Sequence, residues 1–504
     1  MGTSYSLPVK PTEERSYRAK AKADEARSSP DRCSEKEDPS IESPPPYQLE
    51  DREPSVSLHH LQDWNETLLS DPKNRLAISS LAGDSYTNVL VNRSAIKSDI
   101  QVFNVKVPIE GTPITNQRSS GRCWLFASTN IFRVPIIKAY GLADFELSQA
   151  YLYYWDKIEK ANYFFETIIE TADEDISGRL VQKLLQDPVT DGGQWDMVAN
   201  LVKKYGLVPH DVYPDNFNAQ NSSRMNWLLT AKLREHAFVL RKLARSSQLK
   251  DRVQLAQAKD RFLKEIHSLV TILLGPPPNP DEPFVWQYNN PEGKAREIRQ
   301  TPREFGRQAF SQSSRNKVSP GRLVSLVNDP RNEYNRLLTV DKLGNVVEGQ
   351  PLTYVNVEMK TLKNGVISML KAGHPVFFGC DVGKFSNSQS GIMDPELLDL
   401  SLGFNVSLGL NKAERLTSGE SAMTHAMVIT AVHLEGDEPV RWRVENSWGE
   451  AAGDKGWFVM TDRWMDEYTF QAVVDFNLVS SEVRDVLRQD PKVLPRWDPL
   501  GVLA

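Results

Sequence analysis

Asn116-Gln117-Arg118-Ser119-Ser120-Gly121-Arg122-Cys123-Trp124-Leu125-Phe126-Ala127 is the stretch on which the reading of this chain turns. From Cys123 onward the residues are apolar and helix-compatible, through Ile131, Phe132, Ile136 and Ile137. A helix is therefore expected to start at or near Cys123 and run to about Ala139. Pro135 within it predicts a kink or an early end. A thiol at a helix N-terminus faces unpaired backbone N–H groups and the positive end of the helix dipole, and both favour the thiolate. Gly121 lets the backbone turn tightly just before it. Six residues upstream, Gln117 offers a neutral side-chain N–H. With the backbone N–H of Cys123 it suits a developing oxyanion. A cysteine in such a place is by itself more often a buried structural residue, so the reading depends on a proton-transfer partner.

Candidates for that partner lie far downstream. His425, in Met423-Thr424-His425-Ala426-Met427-Val428-Ile429, stands where a polar loop enters an apolar strand. In Val444-Glu445-Asn446-Ser447-Trp448-Gly449-Glu450, Asn446 is suited to bond the second imidazole nitrogen and fix the ring. Trp448 is placed to shield that bond from water. His433 follows His425 by eight residues and would share its face on a regular strand, so spacing does not choose between them. His374, before Pro375, and Cys380, in Phe377-Phe378-Gly379-Cys380, read as structural.

Outside these segments the chain changes character several times. Residues 1–57 are rich in Ser, Pro and charge, with Pro44, Pro45 and Pro46 in a row, and are expected to be a disordered tail. The tail holds Cys33 and has no apolar h-region, and its acidic residues argue against a mitochondrial transit peptide. Its start, Met1-Gly2-Thr3-Ser4-Tyr5-Ser6, fits the short N-myristoylation pattern at Gly2, against the plainer reading of an unmodified tail. Leu61, Trp64, Leu68 and Leu69 have helical spacing, while Thr87 to Val91 and Val102 to Val107 read as extended. Leu229, Leu233, Ala237, Leu240 and Leu243, then Phe262, Ile266, Leu269 and Leu273, mark long amphipathic helices that end at Pro276-Pro277-Pro278.

Between Arg224 and Glu265 stand eleven Lys/Arg and four Asp/Glu, a local excess of basic charge in a chain whose net charge is -6. The global charge argues against nucleic-acid binding by net charge, and a run like 224–265 ordinarily means a solvated helix face. A polyanion-binding surface, for single-stranded nucleic acid, is the sharper reading. Beyond Thr353 the pattern becomes strands: Val355 to Val357, Val376 to Cys380, Ala426 to Val432, Val440 to Glu445 and Trp457 to Thr461. Helices first and strands later make an α+β chain. No run of about 18 apolar residues appears, so no transmembrane segment is expected. Three cysteines cannot make a disulfide framework, which points to a reducing compartment. No Cys or His pair has zinc spacing, so no metal and no cofactor is expected.

Gln117, Cys123-Trp124, His425 and Asn446-Ser447-Trp448-Gly449, in that order, resemble the papain-like cysteine peptidases. Leu147-Ser148-Gln149 supports the resemblance, and Asp191-Gly192-Gly193 resembles the glycine pair lining that family's substrate groove. Two departures stand out. The usual motif has a disulfide cysteine three residues before the nucleophile, and here that position is Ser120. His and Asn normally follow the cysteine by about 130–150 residues. Here, from residue 123, they follow by 302 and 323. These departures point to the bleomycin hydrolase and aminopeptidase C family. The resemblance is carried also by Ser223-Arg224-Met225-Asn226, Leu343-Gly344-Asn345-Val346-Val347-Glu348-Gly349, Gly419-Glu420-Ser421-Ala422-Met423-Thr424-His425, and Leu494-Pro495-Arg496-Trp497-Asp498-Pro499-Leu500.

The resemblance implies a papain-like fold, with a helical left lobe, a β-barrel-like right lobe and a large, mainly helical insertion. On this chain that gives a tail at 1–57, a helical lobe with the nucleophile at 58–214, a basic helical insertion at 215–352, a β-rich lobe with His and Asn at 353–490, and a C-terminal arm at 491–504. It implies a cytoplasmic cysteine aminopeptidase, with a mitochondrial pool left open, acting on peptides and small amides. It implies Cys123 as nucleophile with a depressed pKa, His425 as acid and base, Asn446 as its orienting partner and Gln117 in the oxyanion hole. Gly192, Gly193, Trp448 and Ala504 would contact substrate, with the Ala504 carboxylate attracting an α-ammonium group. Self-association into a homohexameric ring is implied too. Two other classes compete: a Cys-His acyltransferase, and a ring that binds single-stranded nucleic acid through residues 224–265.

Overall fold

The computed structural model describes residues 56–246, 248–311 and 320–503. Gly2, Cys33 and the rest of the tail before residue 56, and the terminal Ala504, lie outside the described residues. The chain divides into two units, one ending at Ser70 and one beginning at Asp71. In the first, Leu58–Ser70 is a helix, as the Leu61-Trp64-Leu68 spacing predicts, and none of its residues is buried. The second unit carries the site.

Helix α1, Cys123–Tyr140, is apolar or small on nearly every side and is correspondingly buried nearly all round. Pro135 does not end it. The helix continues to Tyr140 and closes on Gly141, left-handed at φ 63°, whose N–H bonds the Ile137 carbonyl. Ile136 and Ile137, buried beyond the proline, anchor this last turn against the loss of one backbone bond. Helix α2, Gln149–Glu170, starts where the Ser148 side chain accepts the Tyr151 N–H. Helix α3 spans Trp195–Tyr205. The two long amphipathic helices are α4, Ser223–Ala244, and α5, Leu249–Leu274. They pack on each other and on α2, burying Leu229, Leu233, Ala237, Leu240, Phe262 and Ile266.

Some sequence expectations change here. Thr87 to Val91 is not extended, because Ser85 accepts the Thr87 N–H and caps a one-turn helix, Tyr86–Val89. Within Val102 to Val107 only Val105–Lys106 is a strand, paired with Val432 and Ala431. Strands also begin before Thr353. A hairpin of Phe284–Asn289 with Ala295–Gln300 follows α5. Then β1, Leu323–Val327, and β2, Arg336–Val340, enter the main sheet. β1 is covered on both faces, so it shows no alternation that would have marked it as a strand.

The main sheet continues with β3, Tyr354–Asn356, and, after helix α6, Met359–Lys371, with β4, Val376–Cys380. Then come β5, His425–Glu435, β6, Glu438–Glu445, β7, Trp457–Thr461, β8, Thr469–Asp475, and β9, Lys492–Leu494. Their order across the sheet is β9-β2-β3-β1-β8-β4-β5-β6-β7, with Ile392–Met393 and Ser386–Asn387 extending the β7 edge. The pairs from β8 through β7 are antiparallel. α1 packs against β5 and β4. The helix that begins at Cys123 therefore lies on the strand that begins at His425. No described helix is long and apolar enough to cross a membrane.

Candidate active site

Cys123 is the first residue of α1, and its buried thiol has the backbone N–H groups of Trp124 and Ala426 close by. Ala426 is the residue after His425. The β5–β6 register pairs Val428 with Glu445, so one step further Asn446 faces Met427. His425 is then a diagonal neighbour on the same face. Its Nε2 and Asn446 Oδ1 are 2.9 Å apart, leaving Nδ1 for the thiol. The Trp448 ring lies 5.0 Å from the imidazole, tilted by 33°. His425 and Asn446 are 5% and 1% exposed, so water does not compete for their bond. The sequence left His433 in play. A register irregularity between Ile429 and Ala431 breaks the alternation that would have put it on the face of His425.

Gln117 is held by Ser447, which follows β6. Its backbone N–H bonds the Ser447 carbonyl at 2.9 Å, and Ser447 Oγ donates to its Oε1 at 2.7 Å. That bond fixes the amide orientation, so Nε2 points back toward the Cys123 loop, where one of its hydrogens goes to Ser120 O at 2.7 Å. The second hydrogen is available for an incoming oxyanion. Arg118 beside it adopts φ 54°, with its N–H on Asn116 Oδ1 at 2.9 Å, a left-handed residue held at a functional loop. Ser120, in the place of the papain disulfide cysteine, donates to Gln117 O at 2.6 Å and accepts from Arg122 Nε at 2.9 Å. Arg122 in turn makes two bonds, 2.8 and 2.7 Å, to Asp215. A hydrogen-bonded chain thus closes the loop without a disulfide.

Asp191-Gly192-Gly193 passes beside the start of α1. Trp124 Nε1 donates to Asp191 O at 2.7 Å, and Lys160 Nζ to Gly192 O at 2.6 Å. Gly193 is required by sterics: a Cβ there would meet the Trp124 ring at 2.4 Å. The next residue, Gln194, donates to Val502 O at 3.1 Å, which sets the C-terminal segment beside the glycine turn. Ala504, expected to touch substrate, lies outside the described residues.

Residues 55–501 match the model of the peptidase C1-like family. The chain belongs to that family. It is 43% identical over 452 residues to bleomycin hydrolase of Homo sapiens, covering 87% of this chain and 96% of that one. To cysteine proteinase 1, mitochondrial, of Saccharomyces cerevisiae it is 42% identical over 459 residues, covering 89% and 93%. The crystal structure of pepw from Lactobacillus rhamnosis HN001 superposes with a TM-score of 0.84 at 36% identity, over 90% of this chain and all of that one. The chain is thus a cysteine-type peptidase with an α+β, papain-like fold.

In this C1-like peptidase the low thiol pKa expected from the helix N-terminus is not what the full environment produces. Burial pushes the Cys123 thiol up to about 11, over the opposing pull of nearby backbone N–H groups. Burial also pushes His425 down to about 4, against the bond to Asn446. A lone charge is disfavoured on either group in so dry a site. Moving the thiol proton onto the imidazole creates both charges at once and leaves the net charge of the site unchanged.

Two further features were not legible in the sequence. Arg133, on α1, and Glu445, the last residue of β6 before Asn446, form an ion pair at 2.6 Å, both essentially unexposed. The pair pins the helix that starts at Cys123 to the strand that precedes Asn446. Some cations of the basic stretch 224–265 also have a use inside the fold. Arg241 and Arg245 donate to the carbonyls of Ala172 and Glu174, and Arg241 also to Thr171, at the C-terminal end of α2. Arg234 holds the Leu185 and Gln186 carbonyls, and Lys232 pairs with Glu235 and Glu265. Arg234, Arg241 and Arg245 thus clamp helix ends, where cations complement the dipole. Reversing charge at Arg241 or Arg245 would probe folding rather than nucleic-acid binding.

Proposed function

We propose that this peptidase is a cysteine aminopeptidase of the bleomycin hydrolase type, cleaving amide bonds near the free N-terminus of peptides and related small amides. The observation that carries the reading is the 2.9 Å His425–Asn446 bond under Trp448, on the strand against which the helix opened by Cys123 packs. Cys123 passes its proton to His425 and attacks the scissile carbonyl carbon. Gln117 Nε2 and the Cys123 backbone N–H bond the resulting oxyanion. His425 then protonates the leaving amine, and the C–N bond breaks to give a thioester. Water, deprotonated by His425, attacks the thioester and releases the acid and the thiol. Asn446 keeps the imidazole aimed through both steps.

Gly192 and Gly193 offer close backbone approach to the substrate. The arm at 491–504, held beside them by the Gln194–Val502 bond, limits the acyl side of the cleft, and the Ala504 carboxylate attracts the substrate's ammonium group. Residues 215–352 are read as the insertion between the two halves of the site. The family resemblance favours a homohexameric ring working in the cytoplasm.

The test is a panel of fluorogenic peptides with free and acetylated N-termini, turned over by the parent and by Cys123→Ser. Cleavage of the free peptides by the parent alone is expected. Turnover by Cys123→Ser would remove the nucleophile assignment, and cleavage of only the blocked peptides would remove the aminopeptidase assignment.

A further inference from the structure

The Asp191 carboxylate, 7% exposed, accepts from five donors. Oδ1 takes Tyr153 Oη at 2.6 Å, Lys157 Nζ at 2.7 Å and Asn226 Nδ2 at 2.7 Å. Oδ2 takes the Gly121 N–H at 3.1 Å and the Ser222 hydroxyl. The donors come from three places: the loop before α1, helix α2, and the start of α4. Its own backbone oxygen takes the Trp124 indole N–H at 2.7 Å. Gly121 stands two residues before Cys123 and Trp124 one after, so both flanks of the thiol are tied to this one aspartate. The approach is tight enough that a Cβ on Gly121 would come within 2.9 Å of Asp191 Cβ. Asp191 is also the first residue of the Gly192-Gly193 turn, so groove and nucleophile share this anchor.

We propose that Asp191 is the positioning residue of the nucleophile, holding the Gly121-to-Trp124 backbone and the glycine turn in one register. The inference rests on Cys123 as the attacking thiol. A charged anchor is suited to this because charge-assisted bonds are shorter and stiffer than neutral ones. Lys157, Tyr153 and the Lys160–Asp156 pair face it from α2, Ser222 and Asn226 from α4, and the Arg122–Asp215 pair from the loop. His425 faces the thiol from β5. With Lys157 pairing it, the carboxyl stays ionised despite its burial. Its negative charge in turn works against the Cys123 thiolate. Geometry and charge therefore act in opposite senses, and that separates positioning from mere structure.

Asp191→Asn keeps the shape but loses the charge and one of its two acceptor oxygens. We expect kcat/KM on free N-terminal peptides to fall on the order of a hundredfold, mostly in kcat. The pH midpoint of Cys123 alkylation by iodoacetamide should meanwhile move downward, because Lys157 is left unopposed. Asn226→Ala removes one donor and leaves the charge, so kcat should fall with the midpoint in place. A folded Asp191→Asn with parental kcat/KM overturns the proposal. So does a fall in activity with an unmoved midpoint, which marks a purely structural residue. If Asp191→Asn does not fold, Asn226→Ala decides, and parental kcat there overturns the proposal. Cys123→Ala run alongside keeps the two readings apart: activity in that variant removes the nucleophile assignment itself, whereas an inactive Cys123→Ala beside a parental Asp191→Asn removes only the role of Asp191.

Discussion

Gly193→Ala puts a single methyl group against the side chain next to the nucleophile. The new Cβ would stand 2.4 Å from two atoms of the Trp124 ring and 2.6 Å from a third. Carbon contacts settle near 3.5 Å or beyond, so ring or turn must recede by about 1 Å. The ring has nowhere to go. It is wholly buried, its Nε1 is bonded to Asp191 O, and the Lys160 ammonium lies 5.1 Å over it. Overpacking of this kind costs about 1–3 kcal/mol. In a chain of this size that is a drop of a few degrees in Tm. The larger effect is on rate, because Trp124 follows Cys123 directly on α1. Displacing a reacting group by about 1 Å costs roughly a hundredfold. Calorimetry and kcat/KM on a free N-terminal peptide measure the two effects, with Gly83→Ala as control because nothing lies within 4 Å of a Cβ there. Gly193→Ala with parental Tm and parental kcat/KM would refute the steric argument.

Gln117→Ala should lower kcat about a hundred- to a thousandfold with KM nearly unchanged, since an oxyanion donor acts mainly in the transition state. Unchanged kcat would strike Gln117 from the site. His425 supplies a pH test. Its pKa falls from an ordinary 6.5 to about 4, so on acidification the unfolded chain takes up this proton before the folded chain does. This contribution leaves stability unaffected above pH 6.5 and costs about 3 kcal/mol once the pH reaches about 4. Urea unfolding across that window should show a steeper loss for the parent than for His425→Gln, and equal slopes would show that the imidazole is not held neutral.

Much of the site was legible because it is carried by residue types in order along the chain. Gln117, Cys123, His425, Asn446 and Trp448 each have a chemistry that suits the task, and α1 announces itself by its apolar run from the nucleophile onward. What could not be read depends on contacts between distant segments. Ser447 looked like part of a motif, and only the fold brings its hydroxyl to Gln117 Oε1. Arg241 and Arg245 counted as surface charge until α2 ended beneath them. Strand β1 was hidden because it is covered on both faces.

By itself, then, the sequence determined the α+β, papain-like class and the cysteine-peptidase family, nominated a thiol, an imidazole and amides for the site, and placed Ser120 where a disulfide cysteine usually stands. These follow from side-chain chemistry and from local periodicity, which need no partner. The tertiary structure decided which groups meet: the β5–β6 register that sets Asn446 against His425, the Arg133–Glu445 pair that joins the two halves, and the carboxylate of Asp191 beside the start of α1. It also decided the sign of the pKa shift on Cys123. A helix N-terminus favours the thiolate locally, but desolvation depends on everything packed around it, and here burial is the larger effect.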